Sequence, residues 1–507
     1  MAHMIDTQVA IIGGGIVGAT IAHALSKYKV NVCVLEKQPM TGHGLTKCSQ
    51  GGLHGGTGLY MSKYVKWWEG GGDLKSYLAR EDHLKDRLND PGVRMFYELQ
   101  PFLKAKILTS GRVMVAEAQD DIEKMKIFKE LAEEKGWKGI SILDRDGIRE
   151  KEPLLDPRFI GGLYDPHTAS VNATEWTTAF TEVAAQNGVH ILLNTEVHGI
   201  EQKTGGYIIK TNDGSLRAEY VVNAAGIFSD EIARMVGGID FSFTIWKCQM
   251  LVMENTAGIQ HTIVTMPKPM KSRMLYMTTD GNILASHTMD LSNSKSDHST
   301  TREGLDLLST YLNYYLPEAE FKILRSFAGI MHFNTRNPDD YLIERPKPKF
   351  ISIIACPPAV TPAPALALDI VKMLADEGLG LVEKSDFNPY RDVEPRFIEL
   401  ATEEKNRKIE ANPGYGHLVC RCEKVSEEEI RQAVRAGATT VDDVKFRTRA
   451  TMGRCQGGFC TSRILKIMAD EMGVSPLELT LKGGNSYVLA CETKGLIRGD
   501  MHVGQRS

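Results

Sequence analysis

Read as a pattern of apolar and polar positions, the chain is organised by residues 9–36, VAIIGGGIVGATIAHALSKYKVNVCVLE. An apolar β-branched run, a glycine turn, an amphipathic stretch and a second apolar run predict strand, helix and strand in order. Downstream, ILLNTEVHGIEQ, YIIKTND and YVVNAAG read as successive strands. Residues 350–356 are continuously apolar, as in a strand buried on both faces. Periodicity near 3.6 predicts helices over 128–135, 146–151 and 174–187. A further helix runs from Ser229 as N-cap to Gly237 as stop, and an Ala-rich one begins within 361–364.

Between about 240 and 341 the pattern changes to alternating runs, LVMEN, MLYMTT and NILASHT, with one helix over 301–315. This predicts an antiparallel sheet inserted as a substrate-binding domain. Residues 383–416 are charged and broken by Pro, a linker with one helix over 394–408. Beyond them Ser426 and Glu429 form a capping box, Gly437 ends that helix, and two more are expected over 440–448 and 464–472. The expected fold is α/β: a Rossmann-like domain, an inserted antiparallel sheet and a small all-α C-terminal domain.

The glycine turn carries the first chemistry. Gly13, Gly15 and Gly18 have the G-x-G-x-x-G spacing, which allows a tight turn, close approach to a pyrophosphate and helix–strand packing. Glu36 ends the second strand, where an acid binds a ribose hydroxyl. Ala225 and Gly226, after YVVN, let the chain return close to the same dinucleotide. Residues 41–60 are too rich in Gly, Ser and Thr for a helix and read as a loop over the cofactor, with His54 inside it.

Composition then removes function classes. Sixty basic and 64 acidic residues leave a net charge of −4, which builds no field for nucleic acid or anionic lipid. No run of eighteen apolar residues occurs, and the N-terminus lacks a secretion pattern. A cytoplasmic protein is expected, with peripheral attachment at the inner membrane face only through a partner.

Nine cysteines are unevenly spread. Cys420-x-Cys422 and Cys455-x4-Cys460 form two close pairs within a segment too small to fold well on three short helices alone. Four thiolates suit zinc or an iron–sulfur cluster. The spacing does not fit paired Cys-x2-Cys knuckles, and Gly453, Gly457 and Gly458 leave N–H groups to face sulfurs.

CRCEKVSEEEI and VKFRTRATMGRCQGGFC resemble the bacterioferritin-associated-ferredoxin-like domain, whose four cysteines hold a two-iron two-sulfur cluster. The first 390 residues resemble the D-amino-acid-oxidase-like superfamily of FAD enzymes, through VAIIGGGIVGATIAHALS, VVNAAGIFSDEIARMVG and RSFAGI. The two domains together resemble the catalytic subunit of anaerobic glycerol-3-phosphate dehydrogenase, and the first also resembles L-2-hydroxyglutarate dehydrogenases. FAD and a two-iron two-sulfur cluster are the cofactors this implies. The resemblance adds Thr46, Ser49, Val197 and Thr361 to Gly13, Gly15, Gly18, Glu36, Ala225 and Gly226 as cofactor-binding positions. Cys420, Cys422, Cys455 and Cys460 become the cluster ligands.

GGLHGG at 51–56 matches a loop that brings a histidine near the flavin in these families, which makes His54 a base or substrate ligand. His332 is the alternative base. Two departures bear on the substrate: Met331 stands where relatives carry an anion-binding arginine, and Gln50 where they often carry Ser. Arg325, Arg336, Lys268 and Lys271 are the available replacement charges. The reading is a dehydrogenase of a small hydroxylated substrate, glycerol 3-phosphate or a 2-hydroxy acid, passing electrons to a protein subunit or quinone-linked acceptor. An amine or imino-acid dehydrogenase, or an electron-transfer subunit with a decayed pocket, are the rivals. The expected domain boundaries are 5–80, 161–238 and 346–382 for FAD, 81–160 for a cap, 239–345 for substrate, 383–415 for the linker, 416–475 for the cluster and 476–507 for the tail.

Overall fold

The computed structural model describes residues 5–238, 241–266 and 274–494. The chain divides into two compact units, 1–37 with 41–391, and 38–40 with 392–507.

In the first unit, strands Ile5–Ile12, Val32–Leu35, His190–Leu192, Gly214–Asn223 and Phe350–Ile354 form a parallel array. Val197–Lys203 and Gly206–Thr211 extend it as an antiparallel hairpin. The apolar runs are continuous because both faces are covered. On one side Val9, Ile11 and Val34 pack with Ile21, Leu25, Leu366 and Ile370 of helices Ile16–Leu25 and Ala363–Asp376. On the other, Ala10, Ile12 and Leu35 pack with Ile200, Ile209 and Ile232.

A second sheet of nine strands is built around the long pair Phe243–Glu254 and Lys322–Asn334. Two features differ from the sequence reading. Arg112–Ala116, Ser141–Asp144 and Gly161–Asp165 belong to this sheet, so segment 239–345 does not build it alone and 161–165 does not join the parallel array. The sheet is also mixed, since Thr262–Thr265 runs parallel to Arg112–Ala116. Gly161 and Gly162 permit the pairing: a Cβ at Gly162 would lie 2.2 Å from Met114 O.

Helix Leu84–Leu103 is absent from the sequence reading because Pro91, Gly92 and Pro101 interrupt its pattern. Gly92 has a positional reason, as a Cβ there would meet Thr361 O at 2.2 Å. The helix therefore passes directly against the loop that carries Thr361. Ser229 is the first helical residue rather than the N-cap, because a 3-10 turn at Gly226–Phe228 leads into Ser229–Met235.

In the second unit, helices Glu427–Arg435, Val441–Thr448 and Thr461–Met472 close over Val425, Ile430, Val444, Ile464 and Met468. The Ser426–Glu429 capping box is present. A two-stranded ladder, Leu418–Cys420 with Val425–Ser426, adds β-structure to the expected all-α domain. The linker helix is Thr402–Ala411, later than the sequence reading placed it, since Pro395 disfavours helical backbone at Glu394.

Candidate active site and cluster pocket

The glycine turn forms a cradle with no room for side chains. Gly13 has φ +106°, and a Cβ there would lie 2.5 Å from Ala224 O. A Cβ at Gly18 would lie 2.0 Å from Gly13 O. Gly15 caps helix Ile16–Leu25 in extended conformation. The Ala224 N–H donates to Ile12 O at 2.9 Å, and the Ala225 N–H to Asn223 Oδ1 at 3.2 Å. Thus Ala224 and Ala225 lie beside the turn, and Gly226 follows them with φ +57°.

Two side chains shape its mouth. Glu36, buried, accepts the Gly14 N–H at 2.7 Å, and Thr46 Oγ1 accepts the Ile16 N–H at 3.1 Å. Ser49 Oγ accepts the Gly51 N–H at 3.1 Å, fixing the loop that follows. Val197 sits in the core behind the array with Ile12 and Leu35. The open glycine backbone, the helix N-terminus and an acid at the second strand's end match a dinucleotide's pyrophosphate and ribose.

Across the loop, Thr361 is fully buried. Its hydroxyl donates to Gly52 O at 3.2 Å and accepts the His54 N–H at 3.3 Å. His54 Nδ1 lies 2.9 Å from the same oxygen. A hydroxyl has one hydrogen, and Gly52 O takes it. His54 Nδ1 is therefore the donor, and Nε2 keeps its lone pair. Burial, then the charge of Arg112, pushes the His54 pKa down to about 4, so the ring is neutral near pH 7.

The site contains residues that the sequence reading did not single out. Arg112 opens an otherwise apolar strand and is buried against Thr57 and Gly58. Tyr276 packs on Gly52, whose Cβ would meet the phenol oxygen at 3.3 Å. Ser286 and His287 are further such residues, and both meet Gln50, which the sequence reading had noted, His287 Nδ1 at 2.6 Å. The only sequence signal for Arg112 is one charge at the start of the run RVMVA; the others come from strands brought in by the second sheet.

His332 occupies different surroundings. Gly329 faces Cys48 of the cofactor loop, where a Cβ would approach the Cys48 Cβ to 3.0 Å. Alternation along Lys322–Asn334 puts Met331 on that face and His332 on the opposite one. The His332 ring stands edge-on to Phe243 at 4.7 Å and beside the Ala355 backbone, and burial lowers its pKa to about 4. Among the replacement charges, Arg336 is paired with Glu344 at 3.2 Å and Arg325 is exposed. Lys268 and Lys271 lie outside the described residues.

In the second unit, Cys420, Cys422, Cys455 and Cys460 frame a cavity of about 190 Å³ with Arg421, Arg454 and Phe459. Cys420 and Cys422 sulfurs are 3.8 Å apart. N–H groups of Phe459 and Gly457 face the Cys455 thiol and hold its pKa below the ordinary value. Thr451 N–H acts likewise on Cys460, after the Cys420 thiol. The glycines divide the work differently from the sequence reading: Gly458 N–H is spent on Cys455 O at 2.9 Å, and Gly453 supplies space, its Cβ position being 2.5 Å from Cys422 Sγ. Among the described residues no three His, Cys, Asp or Glu side chains converge as on one metal ion. Thiols around a cavity, served by backbone donors, fit a two-iron two-sulfur cluster.

Residues 8–373 match the family model of FAD dependent oxidoreductases, and 418–470 match the BFD-like [2Fe-2S] binding domain. The chain belongs to the FAD dependent oxidoreductase family and carries both FAD and a two-iron two-sulfur cluster as its cofactors. Within that family it is a glycerol-3-phosphate dehydrogenase-like enzyme. It is 32% identical to the glycerol 3-phosphate dehydrogenase of Caloramator mitchellensis, over 97% of this chain and 100% of that one. It is 24% identical to anaerobic glycerol-3-phosphate dehydrogenase subunit A1 of Haloferax volcanii, over 92% of this chain and 83% of that one. The fold matches dithionite-reduced L-alpha-glycerophosphate oxidase from Mycoplasma pneumoniae with FAD bound: TM-score 0.68 at 22% identity, covering 77% of this chain and 100% of that one.

Proposed function

We propose that the enzyme oxidises the secondary hydroxyl of a small anionic substrate, glycerol 3-phosphate first and a 2-hydroxy acid second, with His54 as base. The carrying observation is the Thr361 hydroxyl, which commits His54 Nδ1 as donor and leaves Nε2 able to take a proton. Thr361 thereby positions the base, and the low pKa keeps it unprotonated. Gly13, Gly15, Gly18, Glu36, Thr46, Ser49, Val197, Ala225 and Gly226 hold the cofactor's nucleotide side. Thr361 stands two residues before helix Ala363–Asp376, whose N-terminus favours negative charge beside it.

Bound FAD supplies the hydride acceptor and the cluster a one-electron outlet. The cluster held by Cys420, Cys422, Cys455 and Cys460 favours a protein subunit or quinone-linked acceptor over oxygen. No helix among the described residues is long and apolar enough to cross a membrane. The enzyme acts in the cytoplasm, reaching the inner membrane face through its acceptor. An anaerobic screen of flavin absorbance tests the reading: bleaching by glycerol 3-phosphate is expected, and bleaching by N-alkyl amino acids alone contradicts it.

A further inference from the structure

Arg112 is 2% exposed. Its hydrogen bond among the described residues runs from Nη1 to Thr57 Oγ1 at 3.4 Å, and its Nε has none. Asp165 is its partner across the strand pair, yet that carboxylate is already engaged. It accepts the Thr57 N–H at 2.7 Å, the Thr57 hydroxyl at 2.6 Å and the His167 N–H at 2.9 Å. Among the described residues the Thr57 hydroxyl stands between Arg112 and this carboxylate, so the guanidinium makes no direct ion pair and its Nε stays open, a costly arrangement that a chain retains where something negative arrives.

The surroundings say where that is. Nη2 lies 3.0 Å from the Cβ position of Gly58, which is itself 3.6 Å from His54 Cβ. The Arg112 charge acts on both His54 and Tyr276. Tyr276 reaches the same place from the second sheet, its ring against Gly52, whose carbonyl holds the Thr361 hydroxyl. Arg112, Tyr276 and His54 thus come together around Gly52 and Gly58.

We propose that Arg112, with the Tyr276 hydroxyl beside it, receives the oxyanion of the substrate, the phosphate or carboxylate that accompanies the reacting hydroxyl. The fork of a guanidinium suits two oxygens of either group. This rests on the reading above, in which His54 serves an anionic hydroxylated substrate. The residue takes over the task that an arginine after Ile330 would have had, from a different strand.

The test uses the FAD-loaded full chain and three probes: inorganic phosphate, followed by perturbation of flavin absorbance, then glycerol 3-phosphate and 2-hydroxyglutarate. Arg112→Met is expected to weaken phosphate and glycerol 3-phosphate binding on the order of 100-fold. It should keep its FAD, and a melting curve separates lost binding from the destabilisation that leaving Asp165 buried without a nearby cation brings. Arg112→Lys keeps the charge without the fork and should weaken binding about tenfold. A phosphate-ester ligand is indicated if glycerol 3-phosphate suffers the larger loss, a carboxylate if 2-hydroxyglutarate does. Unchanged phosphate affinity in Arg112→Met overturns the proposal; if that chain does not fold, unchanged affinity in Arg112→Lys overturns it. Should neither organic probe bleach the wild-type flavin, the functional reading fails, while phosphate binding lost in Arg112→Met still supports the anion site.

Discussion

His54 Nδ1 lies 2.9 Å from Thr361 Oγ1, and that hydroxyl gives its only hydrogen to Gly52 O. One threonine therefore sets the tautomer of the histidine. Removing His54 as alanine should slow the reductive half-reaction by about 10²- to 10⁴-fold, the usual worth of a positioned base. Thr361→Val should slow it less, about tenfold, because the ring loses its orienting partner and keeps its nitrogen. The double variant should be no slower than His54→Ala alone, since Thr361 acts through the histidine. Stopped-flow reduction under anaerobic conditions measures all three.

The proton acceptor also sets a pH dependence. The His54 pKa is lowered to about 4, so its base form is fully present above pH 5 and disappears only as pH falls through 4. The rate of flavin reduction should accordingly be flat from about pH 5.5 to 8. An acid limb near the unperturbed histidine value of about 6.5 that persists with a 2-hydroxy acid, which has no phosphate to titrate there, would show that another group is the base.

Acid stability follows from the buried histidines, of which His332 and His23 serve as examples. Burial lowers the pKa of His332 to about 4 and, with Lys27, that of His23 to about 3. Both are below the unfolded value of 6.5, so between those limits the unfolded chain binds protons that the folded chain does not. Stability is complete above pH 6.5 and is lost as pH falls, by about 1.4 kcal/mol per pH unit for each histidine. Urea midpoints measured from pH 7 to 5 should fall accordingly, and His23→Phe should flatten the slope.

Gly13→Ala should abolish FAD retention. Its φ of +106° strains any side chain, and the new Cβ would sit 2.5 Å from Ala224 O. Flavin content after gel filtration is the readout, with Gly380→Ala as control, since a Cβ there meets nothing within 4 Å.

How much of this was readable in the sequence depended on distance along the chain. The glycine turn, Glu36 and the capping box at Ser426 are local devices with fixed spacings, and they lie where the pattern put them. The second sheet was only half legible, because Arg112–Ala116 and Gly161–Asp165 join it through pairings that no periodicity records. For the same reason Arg112 and Tyr276 were invisible as neighbours of His54. Helix Leu84–Leu103 was hidden by the Pro91–Gly92 break that lets it touch the Thr361 loop. That His332 and Met331 face opposite sides of their strand follows from alternation, which shows only once the strand's bounds are known.

The cluster ligands can be checked apart from the flavin. Cys455→Ser should lose the paramagnetic signal of the reduced cluster and most of the bound iron, while substrate still bleaches the flavin. A wild-type chain that holds one zinc and no iron would contradict the assignment of Cys420, Cys422, Cys455 and Cys460.

The most direct measurement of the central claim is an anaerobic titration of the holoenzyme with glycerol 3-phosphate, following flavin absorbance and the cluster's paramagnetic signal together. The account predicts that the flavin bleaches and the cluster signal appears in wild type, and that both are slowed in His54→Ala. Bleaching at the wild-type rate in His54→Ala, or bleaching by N-alkyl amino acids but not by glycerol 3-phosphate, would contradict it.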